Sequence, residues 1–436
     1  MIRRYCRVLL FLSACLGAQG LLSGEVLTIE RAVELAVDAN VDIKKNTIEL
    51  GLAKTDAGSL WAQIFPSINL TAGMSYDFPL HDSAPRNGPS YSASAGLSLN
   101  LNAGLPYTMK SITMAYRQKL LSMEDVRRLL FLNIAKDFYS LVTREQNLLV
   151  FENAKKLAGE QMERDTAAWQ NGYKGELEYL QGRLSSERAA LDYQKALAEY
   201  RNALAEFCAA LGLDSAGVRL SGTVEIERIF PDPEKLTGEY LSRRPDIVAK
   251  RNAVERSAIE EKQKALSAKA PSLSLSANWG ARAAEDFSWE GDASLSASVR
   301  LSIPVNPWIP RTKENSELKA AAAGVEMAKI DFDDAWEKAR REIRLLCAGL
   351  ETAWEEAELS RLQLEIAGRG YELSEEAYRA GAMSFVDFEI ARNKYTEAQQ
   401  GLLAGELNYR LLVLDLASAL NISESELAVV SAGRGE

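Results

Sequence analysis

A chain of 436 residues that is 47% hydrophobic and 26% charged is ordinary for a folded protein, and its length suggests two or three domains. Its net charge of −10 becomes −13 once the three arginines of the first twenty residues are set aside, and an acidic body without a basic stripe excludes nucleic acid as a partner. The only histidine is His81, and the chain has no G-x-S-x-G, P-loop, dinucleotide fingerprint or metal-ligand cluster. An enzyme, a cofactor and a metal are therefore not expected.

Arg3, Arg4 and Arg7 precede a short apolar run from Val8 to Ala14, and Ala18-Gln19-Gly20 supplies small residues at the cleavage spacing, so residues 1–20 read as a secretory signal. Leu12-Ser13-Ala14-Cys15 looks like a bacterial lipobox and makes Cys15 an alternative, acylated N-terminus. That run is too short to span a bilayer, and no other stretch approaches twenty uncharged apolar residues, so no transmembrane helix is expected. Cys208 and Cys347 remain, each on a predicted helix. They read as small buried hydrophobes, with a disulfide as the alternative because both lie at a similar distance from a helix-hairpin tip.

Thr28 and Glu30 open a helical pattern that continues through Ile43, Leu50 and Ala57 to Trp61 and stops before Pro66. Alternating small-polar and apolar residues then predict strands over about 67–78 and 91–102, joined by a turn-rich loop containing Asn87-Gly88. From about Met109 to Trp169 the pattern is helical without a proline. Ile134, Phe138, Leu141 and Leu148 follow a four-three spacing that favours knobs-into-holes packing over a globular core. Gly172 and Gly175 break this helix, and a second runs back from Leu177 to Leu211, which makes an antiparallel hairpin. Residues 213–235 form a connector rich in glycine and proline.

The plan then restarts. Thr237 and Glu239 open a short helix, Arg243-Arg244-Pro245-Asp246 punctuates it, and a charged helix reaches Lys269. Strands are predicted over about 272–280 and 293–303, then a helix from about Thr312 to Ala380, a break at Gly381, and a returning helix from Val386 to Leu420. The tail, 423–436, is polar and expected to be loose. Phe65-Pro66-Ser67-Ile68-Asn69-Leu70-Thr71-Ala72 is echoed by Ala270-Pro271-Ser272-Leu273-Ser274-Leu275-Ser276-Ala277. Gly172 and Gly381 lie 209 positions apart, as do Trp169 and Tyr378, Arg183 and Arg392, and Leu211 and Leu420. Residues 21–212 and 236–422 are therefore two copies of one unit. The expected fold is mostly α with a β part: long antiparallel helical hairpins plus four strands.

The strands present Leu, Ala and Ile on one face and Ser, Asn and Thr on the other, and their length suits a tilted membrane strand of about 9–11 residues. Four strands cannot close a membrane barrel, which needs at least about eight, so a barrel would be shared between copies. In that reading Asn69, Thr71, Ser98, Asn100, Ser274 and Ser276 face the pore, while Ile68, Leu70 and Ala72 meet lipid.

The duplicated plan, Arg243-Arg244-Pro245-Asp246, the two Pro-Ser-x-x-Leu-x-Ala strand starts and Tyr378-Arg379-Ala380-Gly381 resemble the TolC-type outer-membrane efflux proteins, from Leu27 to Ile422. The resemblance implies a homotrimer with a twelve-stranded β-barrel in the outer membrane continued by an α-helical barrel in the periplasm. It also implies an exit duct for tripartite efflux or type I secretion, docking a periplasmic adaptor and an inner-membrane pump of RND or ABC type. The alternative, a periplasmic coiled-coil adaptor or scaffold, leaves the alternating strands without a purpose.

The resemblance also implies a periplasmic entrance narrowed by acidic residues just after the second tip. Asp387 matches the first of two aspartates in the family pattern, Ile390 stands at the second, and Glu389 lies between them. Glu178 is the repeat mate of Asp387, so a trimer would carry six such acids around one axis, favouring cations. The alternative is that both are solvated acids at helix starts, favoured there by the helix dipole. Gly172, Tyr173, Gly381 and Ala382 are the expected adaptor-docking tips. Met383 stands where the family has a basic residue that helps lock the closed state, so a hydrogen-bonded latch is not expected at that position.

Overall fold

The computed structural model describes residues 26–76, 89–283 and 293–432. Residues 1–20 with Cys15, the loop with His81 and the end of the first predicted strand at Phe78 lie outside the described residues. The chain divides into two units, residues 1–43, 126–244 and 340–436 in the first and 44–125 and 245–339 in the second.

In chain order the elements are β1 (Val26–Leu27), α1 (Ile29–Ala39), α2 (Val41–Gly58), β2 (Ser67–Ser75), β3 (Ser90–Asn102), α3 (Leu105–Gln170), α4 (Glu176–Leu211) and β4 (Arg219–Leu220). They continue with α5 (Pro233–Tyr240), α6 (Pro245–Lys269), β5 (Ser272–Ala283), β6 (Ala293–Ser302), α7 (Lys313–Arg379), α8 (Phe385–Leu420) and α9 (Glu424–Ala432). Single 3₁₀ turns at Leu60–Ile64, Leu241–Arg243 and Asn306–Trp308 link some of them. With 66 and 67 residues, α3 and α7 are each about 100 Å long at 1.5 Å per residue.

The first unit contains the tips of both helical hairpins and their returning helices, and the ends of each hairpin repeat the same cap. At the first tip Gly172, with φ 76°, and Tyr173 donate backbone N–H groups to Trp169 and Ala168; at the second Gly381, with φ 71°, and Ala382 donate to Tyr378 and Ala377. This 6→1 and 5→2 pairing closes a helix through a left-handed residue, the conformation that glycine adopts without a Cβ clash. The opposite ends are capped in the same way at Gly212 and at Asn421. The duplication thus reaches individual hydrogen bonds.

Three expectations change in this unit, at Asn40, at Pro233 and in the tail. Ile134, Phe138 and Leu141 lie in one hydrophobic core with Leu27, Ala32, Ala36, Phe207, Cys208, Leu211 and Leu414. The reason is that α1, β1 paired with β4, and Val224 of the connector cover this level of the hairpin, so α3 finds partners on more than one side. The helix expected to run unbroken from Thr28 to Trp61 is split at Asn40 (ψ 124°), whose side chain accepts from the Ile43 N–H at 2.9 Å and starts α2. The helix expected to open at Thr237 starts at Pro233, capped by Asp232. Of the tail expected to be loose, Glu424–Ala432 forms α9, which begins beside Ser423 and buries Leu427, and residues 433–436 lie outside the described residues. Cys208 and Cys347 are both buried free thiols, and burial pushes Cys347 up to about 11.

In the second unit, β2, β3, β5 and β6 form one antiparallel sheet in that order, so the two repeats meet at the β3–β5 pair. The register joins like with like: Ser67 opposite Ser98, Leu70 opposite Ala95, Ser276 opposite Ser298, Leu275 opposite Val299. A strand shifted by one residue would place its apolar set on the polar face, so alternation fixes the register. The strand expected over 272–280 extends to Ala283. Gly104 sits at the start of α3, where a Cβ would stand 2.0 Å from Ser267 Oγ, so only glycine lets the strand-to-helix turn approach α6.

Candidate functional site

The apolar face of the sheet is open. Leu70 is 81% exposed and Leu295 78%, and Ile68, Met74, Val299 and Leu301 stand beside them on the same face. A water-soluble sheet covers such a patch. On the other face hydroxyls and amides bond across strands: Ser67 with Ser98 at 2.6 Å, Ser274 to Asn100 Oδ1 at 2.7 Å, Ser276 with Ser298 at 2.7 Å. Asn69 and Thr71 share this polar face, opposite Gly96 and Ser94. The six residues predicted to face a pore are therefore on one side of one sheet. The outer edges of β2 and β6 pair with no other described strand. Among the described residues no helix is long and apolar enough to cross a membrane.

At the hairpin tips, Gly172, Tyr173, Gly381 and Ala382 are all exposed, Tyr173 to 85%. Behind them an aromatic stack repeats: Trp169 lies on Tyr179 with centroids 4.5 Å apart, and their repeat mates Tyr378 and Phe388 stack at 4.9 Å. Glu178 and Asp387 are exposed in the first turns of α4 and α8. Asp387 also has a local role, because its N–H and carboxylate both bond the Ser384 hydroxyl, at 3.1 and 2.6 Å, and close the start of α8.

Glu389 behaves differently. Its side chain is only 16% exposed, accepts from Arg392 at 2.7 Å and also accepts from Ser185 on α4. Arg392, itself 8% exposed at the side chain, reaches the same serine. Its carboxylate is thus part of a half-buried tie between the hairpins; two residues from Asp387, it falls on another side of the helix. A groove of about 640 Å³ runs between α4 and α8 here, lined by Leu184, Ser185, Arg188, Val386, Arg392 and Thr396, among others.

The tips are joined by a network that motif reading missed. Asp165, 1% exposed on α3, accepts from Lys174 and from Gln161 Nε2 at 2.7 Å. Lys174 also donates to the hydroxyl of Tyr378 and lies 4.7 Å from its ring centroid. Lys174 is the repeat mate of Met383. The cation missing from the second tip is thus present at the matching position of the first. Burial alone would lower the Lys174 ammonium, but its bonds to Asp165 and Tyr378 outweigh this and raise it. Burial likewise pushes the Tyr378 phenol up. The missed signal was a lysine in a glycine turn, nine residues after an aspartate. Among the described residues no group of side chains could hold a metal ion.

A duplicated hairpin unit with an amphipathic antiparallel sheet defines a membrane-channel class of fold, and the comparisons agree. The profile of the family described as "Outer membrane efflux protein" matches residues 32–213 and 236–421, so this chain belongs to that family and to the outer membrane. Its members are channel proteins rather than enzymes. No curated protein sequence matches the chain. Among solved structures, the Campylobacter jejuni CmeC outer membrane channel superposes with a TM-score of 0.77 at 18% identity, covering 93% of this chain and 89% of that one. CusC, described through its folding and transmembrane channel formation, gives 0.78 at 16% identity over 91% and 92%. A membrane protein from Pseudomonas aeruginosa gives 0.76 at 18% identity over 90% of each chain. At these identities they attest the fold.

Proposed function

We propose that this protein is a homotrimeric outer-membrane exit duct that serves a periplasmic adaptor and an inner-membrane pump of RND or ABC type, in tripartite efflux or type I secretion. The carrying observation is a four-stranded sheet with a bare apolar face, a hydroxyl-lined opposite face and two open edges. Three copies joined edge to edge form twelve strands, remove every edge and turn the apolar face to lipid. Exposed aliphatic residues at heptad spacing support a ring of copies: Leu177, Leu184 and Leu191 on α4, and Leu359, Ile366 and Leu373 on α7.

In this reading Glu178 and Asp387 form the acidic entrance, and Glu389 belongs to the scaffold behind it. Gly172, Tyr173, Gly381 and Ala382 meet the adaptor, and Lys174 with Asp165 and Tyr378 holds the entrance closed. Asn69, Thr71, Ser98, Asn100, Ser274 and Ser276 line the pore, and Cys15 is the point of lipidation if the lipobox is used. Purification from outer-membrane fractions followed by native mass spectrometry tests the assembly: a trimer that forms channels in planar bilayers is expected, and a monomer without conductance would overturn the reading.

A further inference from the structure

Every charged side chain on the four described strands is an arginine. β2 and β3 carry none, β5 carries Arg282 and β6 carries Arg300. Both are exposed, and the register sets both on the hydroxyl face, Arg300 opposite Ser274 and Arg282 opposite Ser92. The neighbours of Arg300 on that face, Ser298, Ser302, Ser272 and Ser276, are neutral, and Ser276 is already bonded to Ser298. Neither arginine makes an ion pair with a described residue. The opposite, apolar face has no charge at all.

We propose that Arg300 is a charge-specificity determinant of the duct, making its β section favour solutes that carry an oxyanion, such as a carboxylate, sulfate or phosphate. The inference rests on the reading that the hydroxyl face lines a water-filled pore. Hydroxyl neighbours leave the donors of a planar guanidinium free for a passing anion, which it can grip through two parallel bonds. The antiparallel pairing puts Arg282 and Arg300 eight residues apart along the strands, or about 27 Å at 3.4 Å per residue. That exceeds the Debye length of about 8 Å at physiological salt, so the two levels act independently. A threefold assembly would turn each into a ring of cations in a low-dielectric wall, with no carboxylate on these strands to neutralise it. The sign is opposite to that of the entrance acids.

The test uses the full-length protein in planar bilayers at 0.1 M KCl, with sodium tripolyphosphate added on the barrel side. Block of the open-channel current is expected, relieved at 1 M KCl, with the half-blocking concentration raised about tenfold or more in Arg300→Gln. Arg300→Lys should retain most of the block. Ser274→Glu, which leaves Arg300 in place but sets a carboxylate opposite it, should weaken the block as Arg300→Gln does, and it decides the matter if that variant does not assemble. Channels whose block is the same in wild type, Arg300→Gln and Ser274→Glu would overturn the proposal while leaving the channel reading intact. Wild-type protein that conducts nothing would overturn the channel reading and this inference with it.

Discussion

Lys174, in the glycine turn of the first hairpin, donates to the hydroxyl of Tyr378 at the end of the second, while its charge rests on the buried carboxylate of Asp165. Removing the ammonium leaves a desolvated carboxylate without its counter-charge, a change that costs about 3–5 kcal/mol where pairs are fully buried and less here, since Lys174 is 19% exposed. Lys174→Met, which copies its repeat mate Met383, is therefore expected to loosen the tips and raise channel open probability at least about tenfold. Single-channel recording checks this. Lys174→Met in an Asp165→Asn background should add little, because the uncompensated charge is gone.

The same network should respond to alkali and not to ordinary pH. Lys174 is raised above 10.5 and Tyr378 above 10.0. A raised lysine contributes stability in full below its ordinary value and loses it as pH rises through the folded one; the raised phenol acts in the same direction, since folding favours its neutral form. Tip closure, read by hydrogen exchange or by conductance, is expected to stay level from pH 6 to 9 as far as these two groups govern it and to fall above about 10.5. A midpoint near neutrality would refute the assignment.

Gly182 of α4 is buried against Asp165, where an added Cβ would lie 3.0 Å from Oδ2. Gly182→Ala should push the carboxylate off its bonds at a cost of about 1 kcal/mol, and Gly182→Val more. Both should increase hydrogen exchange around the tips without altering trimer mass, an effect that a merely entropic role of glycine would not produce.

Asp387→Ala should reduce cation preference and divalent-cation block in bilayer recordings, and Glu178→Gln should act in the same sense. Glu389→Gln should leave selectivity alone but destabilise the hairpin pair, because Glu389 holds Arg392 and Ser185. Equal selectivity shifts for Asp387 and Glu389 variants would place both in the lumen and contradict this division.

Gly381→Arg should lower crosslinking to an adaptor while trimers persist, as the tip faces solvent with open space around it. Loss of trimers would make the glycine structural alone.

Repeated spacing carried most of the fold in the sequence. Glycines at 172 and 381 marked the tips because a positive φ is a local requirement, and strict alternation marked the strands because a pleated sheet has a two-residue period. Local signals that were present but misread include Asn40 as a cap, Asp232 before Pro233, and Ser423 before a short helix that buries Leu427. The bonds of Glu389 to Arg392 and Ser185 were not legible, because proximity in sequence to Asp387 says little about facing direction on a helix.

By itself, then, the sequence determined the repeat, the caps and the two faces of every strand, since each depends on residues within a few positions of one another. Only the tertiary structure decided that Lys174 serves both hairpins and that Ser185, Glu389 and Arg392 tie them together. These partners are 204 to 207 residues apart, and no local periodicity encodes which residues a second hairpin will bring within hydrogen-bonding reach.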